Sequence, residues 1–208
     1  GSLPSINRKE SFKDTKMDMR KGEYKNEFKK KQETAKASVF TFYNGKCKYT
    51  AENDIMMSML DQILDIVYTE KVREQEGGTY GVNVSGKISK YPKEEFSLQI
   101  VFQTDPAKKD KLIKIIFEEI DNIAKVGPSE KNLAKVKEYM LKKNNENLKE
   151  NGYWLGNIDE YFYTGTDMNT NYEALVNKVT IDSLQKFAKS LFSQKNQIEV
   201  TMTSPEAK

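Results

Sequence analysis

Arg73 and Tyr80, seven residues apart, bracket the segment of this 208-residue chain whose side-chain types best suit carbonyl chemistry. The segment Val72-Arg73-Glu74-Gln75-Glu76-Gly77-Gly78-Thr79-Tyr80-Gly81-Val82 joins a stretch of helical apolar period to one that alternates like a strand. An arginine at a helix end and a tyrosine at a strand start can converge on a peptide carbonyl, and such donors stabilise a developing oxyanion. Gly77, Gly78 and Gly81 would let a substrate backbone approach closely, and an extended peptide could add to the edge of the strand. Two purely structural accounts stand beside this one. Tyr80 falls on the apolar parity of its strand, where its ring would pack inward with the hydroxyl on a partner. Arg73 could satisfy helix-end carbonyls or pair with Glu70, Glu74 or Glu76.

Other chemistries are excluded by what the chain lacks. It has no histidine and a single cysteine, Cys47, so it can form neither an internal disulfide nor a zinc site of the usual Cys and His kind. No thiol or hydroxyl nucleophile has an imidazole base. Gly77-Gly78-Thr79-Tyr80-Gly81 lacks the lysine and following helix of a phosphate-binding loop. The pairs Glu94-Glu95 and Glu118-Glu119 read as surface charge.

Lys and Arg total 34 against 31 Asp and Glu, a surplus of +3 with a sequence pI near 8.6, and this small excess argues against nucleic-acid binding. Lys29, Lys30 and Lys31 read as a solvated face. No apolar run approaches the ~18 residues of a membrane span, and the N-terminus carries no apolar signal core. The opening Gly1-Ser2 looks like a tag remnant, so the chain reads as an excised piece whose compartment the composition does not fix.

The elements that must position the Arg/Tyr segment follow from periodicity. Residues 1–22 are polar and without period, a linker or lead-in; residues 23–208 are expected to form one α/β domain. Strands are predicted near Tyr24–Lys31 and Ser38–Tyr43, the latter with Phe40 and Phe42 on one face and a turn at Asn44-Gly45. Ile55, Met56, Met59, Leu60, Ile63, Leu64, Val67 and Tyr68 give a long helix its apolar stripe. Tyr80, Val82, Val84 and Ile88 form one strand of a hairpin, and Phe96, Leu98, Ile100 and Phe102 the other. A second helix runs from Asp105-Pro106 to Gly127-Pro128, and a third is capped by Ser129. A shorter helical piece passes through Trp154, Leu155, Ile158 and Phe162, and Thr180 caps a last helix. Ile198, Val200 and Met202 alternate as a final strand. Strands and helices are grouped rather than alternating, which predicts an α+β fold: a single, largely antiparallel sheet with helices packed on one face.

The Arg/Tyr segment, with its preceding helix and following hairpin and helix, resembles the C-terminal domain of the pitrilysin/insulinase zinc peptidases, the M16 family. The stretch Glu146-Asn147-Leu148-Lys149-Glu150-Asn151-Gly152-Tyr153-Trp154-Leu155 and the helix entry Thr180-Ile181-Asp182-Ser183-Leu184 are similar to bacterial zinc proteases of the PqqL type. The resemblance covers roughly residues 23–204. It implies an M16-type half-domain within a long peptidase of homologous domains enclosing a chamber, with zinc held in the first domain by an inverted His-x-x-Glu-His motif. This chain lacks every histidine ligand. It would therefore be a later domain, most simply the last, binding no cofactor and inactive alone. Its partners would be the metal-binding domain, in the same polypeptide or as a separate subunit, and peptide substrates. By the same resemblance Arg73 would bind a substrate backbone carbonyl and Tyr80 the scissile carbonyl or tetrahedral intermediate, with Gly77 and Gly78 beside the substrate. The zinc and the glutamate base would come from the other domain. Bacterial relatives of this type are often periplasmic, which sets that expectation for the compartment. The alternative within the same fold is a catalytically silent scaffold or peptide-binding subunit. A generic assembly module, predicting no effect of altering Arg73, is the reading furthest from the motif.

Overall fold

The computed structural model describes residues 11, 13, 15–75 and 81–204, the side chains of 73–75 excepted. Among them, five strands form one sheet: β1 (Glu23–Lys29), β2 (Ala37–Lys46), β3 (Val82–Ser89), β4 (Glu95–Thr104) and β5 (Gln197–Thr203), in the order β1-β5-β2-β4-β3. Only β1 and β5 pair in parallel; the other three pairings are antiparallel. The helices α1 (Ala51–Tyr68), α2 (Lys109–Val126), α3 (Glu130–Asn147), α4 (Asn151–Thr164), α5 (Tyr172–Lys178) and α6 (Ile181–Phe192) complete the predicted α+β architecture. The short α5 has no separate counterpart in the periodicity.

The helix starts follow the sequence signals. Thr50 accepts from the Asn53 N–H, Ser129 from Asn132, and Thr180 forms a reciprocal capping box with Ser183. At the end of α2, Gly127 takes a φ of +89°, a conformation that favours glycine. A Cβ there would also meet Ile181 Cγ2 at 2.8 Å, so glycine permits the close approach of α2 and α6. Gln185 Nε2 fastens the same junction by donating to the Ala124 carbonyl at 2.6 Å.

The core lies between α1 and the β4–β3 end of the sheet. Phe96, Leu98, Ile100 and Phe102 of β4 and Val82, Val84 and Ile88 of β3 are buried with Ile55, Met59, Leu60, Ile63, Leu64 and Tyr68 of α1. Each such side chain contributes about 1.5–3 kcal/mol by leaving water. Met57, outside the predicted stripe, is 1% exposed, whereas Met56 and Val67 are half-buried. Gly86 explains the difference: a Cβ there would stand 2.7 Å from Met57 Sδ, so its absence brings α1 down onto β3.

One sequence reading is corrected here. Asn44-Gly45 is not a turn but the end of β2, paired with Ser97 and Phe96. Gly45 serves close packing, since a Cβ would lie 2.3 Å from Gln194 Oε1 and 2.9 Å from the Phe96 ring. Phe40 and Phe42 stack on each other at 6.1 Å, sharing a face as predicted. That face is the one away from the core, because Val39, Thr41 and Tyr43 are the buried parity of β2. Likewise Ile198, Val200 and Met202 alternate in β5 but stay half-exposed, while Glu199, Thr201 and Thr203 are buried. The Glu199 carboxylate is ion-paired with Lys25 on β1 at 2.9 Å.

Candidate functional site

The helix that leads to Arg73 does not stop at Tyr68. It continues as a π-helical segment, Thr69–Gln75, a rare geometry that occurs mostly as short bulges in α-helices and frequently at functional sites. Three contacts fix this extension. The Tyr68 hydroxyl donates to the Ile116 carbonyl of α2 at 3.1 Å, and burial holds its pKa well above the ordinary phenol range. Lys71 pairs with Glu119 of α2, and Val72 is fully buried. Glu119 is thus not the surface charge predicted for Glu118-Glu119: it is 8% exposed, an acid tolerated inside because a lysine neutralises it. Glu94 keeps to that reading: at the surface it accepts from the Tyr49 N–H and pairs with Lys48 at 2.8 Å.

The backbone of Arg73 therefore sits on a braced turn next to the core. Its side chain, together with Gly77, Gly78 and Tyr80, lies outside the described residues. On the far side of that gap Gly81 is exposed, with open space where a Cβ would be, and β3 begins at Val82. β3 is an edge strand, as peptide addition requires, although Asp61 of α1 uses one of its backbone donors by accepting the Gly86 N–H.

Zinc does not fit the residues present. The sequence holds no histidine, and no group of three or more Cys, Asp or Glu among the described residues could hold a metal ion. Cys47 donates weakly to the Lys48 carbonyl at 3.8 Å, and burial, with Glu94 nearby, pushes its thiol up to about 11. It is neither ligand nor activated nucleophile.

A second polar cluster escaped the sequence reading. Tyr49, just before α1, donates to the Glu160 carboxylate of α4. Thr164 Oγ1 donates to the Glu160 carbonyl at 2.7 Å, and Lys90, in the β3–β4 hairpin, reaches the Thr164 carbonyl and, at 3.2 Å, Thr166 Oγ1. At the other end of α4 the Tyr153 hydroxyl meets Asn144 at 3.1 Å and Asn169 at 2.6 Å. Burial and Glu160 together raise the pKa of Asp54. The cluster borders a cavity of about 290 Å³ lined by Tyr49, Thr50, Glu52, Asp167 and Met168 among others. Its chemistry is that of a clamp holding α4 to the body. The available signal was the polar stripe Tyr153, Asn157, Glu160 and Thr164 at helical spacing.

Residues 2–140 match the family described as the Peptidase M16 inactive domain. A zinc protease PQQL-like protein of Arabidopsis thaliana is 26% identical over 107 residues, 49% of this chain and 11% of that protein. The periplasmic protease PqqL of Escherichia coli superposes with a TM-score of 0.75 at 16% identity, over 88% of this chain and 21% of that one. A protease from Helicobacter pylori superposes at 0.78 with 14% identity, over 95% and 48%. The likeness to the two structures concerns the fold, and the chain spans about a tenth to a half of these three relatives.

Proposed function

Because the chain belongs to the M16 peptidase family and matches its inactive-domain model over residues 2–140, we propose that residues 23–208 act as the C-terminal, non-metal-binding domain of a zinc-dependent metalloendopeptidase. In this reading the domain closes the substrate chamber. Arg73 donates to a substrate backbone carbonyl, and Tyr80 hydrogen-bonds the scissile carbonyl as negative charge develops on it. Gly77 and Gly78 keep side chains out of the path of the bound peptide. The zinc and its ligands belong to another domain of the parent polypeptide, since this chain has no histidine.

The observation that carries the reading is the bracing of the segment before Arg73. Tyr68, Lys71 and Val72 each anchor it to α2 or the core. A donor contributes to catalysis only when its position is fixed before the transition state forms, and a braced π-helical turn at the mouth of an edge strand meets that need. Serving as the wall of a chamber also fits a domain with no group that could hold a metal ion among its described residues.

The test is Tyr80→Phe in the full-length polypeptide with a peptide substrate. Loss of one oxyanion donor typically lowers turnover about 10²- to 10³-fold, and KM should change far less. Unchanged kcat removes Tyr80 from the mechanism and favours a silent, peptide-binding role for the domain.

A further inference from the structure

Helix α4 is amphipathic in the reverse sense. Its body-facing residues are polar: Tyr153, Asn157 and Glu160 are half-buried and Thr164 is buried, and all four are hydrogen-bonded. Its apolar residues point the other way, with Trp154 44%, Leu155 71%, Ile158 51%, Tyr161 52% and Phe162 81% exposed. These five recur at helical spacing and form one stripe. Thr164 is the single fully buried residue of the helix. A helix fastened by its polar side and bare on its apolar side is built to be covered.

The size of the bare surface points the same way. Large side chains carry roughly 150–250 Å² each, so the stripe and neighbouring Tyr163 expose on the order of 700 Å². That exceeds the largest patch of a typical monomer, about 300–600 Å², and approaches the ~800 Å² that each partner brings to a standard interface. The helix contains two acids, Asp159 and Glu160, and no Lys or Arg, although the chain as a whole carries 34 cations. With Glu160 turned inward to Tyr49, Asp159 and the exposed Glu150 form an acidic rim.

We propose that the Trp154–Phe162 face of α4 is the docking surface for another unit of the same longer polypeptide, one that presents an apolar patch edged by Lys or Arg. This rests on the reading of the chain as one domain of a longer peptidase: it spans 21% of the Escherichia coli protease and 48% of the Helicobacter pylori chain. The covering unit lies away from the Arg73 end of the domain. The α4 C-terminus is fastened to Lys90, and β3 runs its whole length between Lys90 and Gly81, roughly 26 Å at ~3.3 Å per residue. The contact therefore assembles the chamber and leaves the carbonyl-binding end free.

Phe162→Cys, placed in both the full-length polypeptide and the 208-residue chain, tests this by the rate of maleimide labelling, with the modified peptide identified by mass spectrometry. At 81% exposure the substitution leaves the fold intact, and Leu155→Cys provides a second position at 71%. Labelling at least about tenfold slower in the full-length polypeptide is expected, as for a contact that opens only occasionally. Equal rates in the two overturn the assignment. So does slow labelling in the 208-residue chain accompanied by a doubled sedimentation mass, which would make the occupant a second copy. Labelling reports on α4 whether or not the polypeptide cleaves peptides, and Tyr80→Phe reports on catalysis whether or not α4 is covered.

Discussion

The β4–β3 end of the sheet follows one rule of polarity, and the opposite end of the sheet and the helix α4 follow another. Under α1, every large apolar side chain on the inward parity of β4 is at most 2% exposed. In β5 the inward parity is Glu199, Thr201 and Thr203, and Ile198, Val200 and Met202 face away from the helices. Strand β1 has all seven residues exposed, with Tyr24 and Phe28 opposite Ile198 and Met202 in the register. In α4 the exchange of polar and apolar faces is complete. The first region stabilises itself. The second leaves apolar side chains on its outer surface, so an exposed residue of α4 such as Leu155 carries less of the domain's own stability than a buried one of α1.

Matched truncations give the largest test of that contrast. Leu60→Ala, at a site with no exposure, should cost about 2–5 kcal/mol in denaturant unfolding of the 208-residue chain. Leu155→Ala, at 71% exposure, should stay within about 0.5 kcal/mol. A loss above about 1 kcal/mol at Leu155 would mean that α4 is already covered and would erase the distinction.

A smaller effect is expected inside the self-sufficient region, at Asp61. Burial, helped by nearby Asp65 and opposed by the Gly86 N–H, raises its carboxyl from 3.8 to about 6. A raised acid contributes stability that is full below the unfolded pKa and is lost as pH climbs through the folded one. Asp61→Asn keeps an acceptor for Gly86 without the charge. Wild type and variant should match near pH 4, and at pH 7.5 the variant should gain on the order of 1 kcal/mol after solvent screening, or about 2–4 °C in Tm. Lower stability of the variant at pH 7.5 would show that the carboxylate bond to Gly86 outweighs the cost of ionisation.

The smallest effect is at Thr201, whose buried hydroxyl has no hydrogen-bond partner among the described residues. Thr201→Val keeps the shape and removes that unpaired group, so stability should hold or rise by up to about 1 kcal/mol. A clear loss would show that the hydroxyl is satisfied after all and that the inverted end of the sheet is better paired than it looks.

Most elements were legible because their signals are local. Ser129 and Thr180 announce helices within four residues, and the stripe of α1 is visible in any helical projection. The alternation of Ile198, Val200 and Met202 correctly marks a strand, but a period of two is the same for either face of a sheet. Which face is buried depends on where the helices lie, and no local rule places them. Asn44-Gly45 has turn propensity, overridden by pairing with Ser97 and Phe96 about fifty positions away. The site divides in the same way. Arg73 and Tyr80 stand out by type and spacing, whereas the bracing of their segment depends on Lys71–Glu119 and Tyr68–Ile116, contacts 48 positions apart in each case.

The placement of Trp154 also decides how this protein can be followed optically. It is the single tryptophan of the chain, 44% exposed on α4 with its indole N–H on the Leu148 carbonyl at 2.9 Å. Its fluorescence therefore originates at the surface, outside the core formed by α1 and β4. Melting that core should shift the emission little, whereas covering α4 should move it strongly to the blue. Intrinsic fluorescence, the usual monitor of unfolding, would here report assembly.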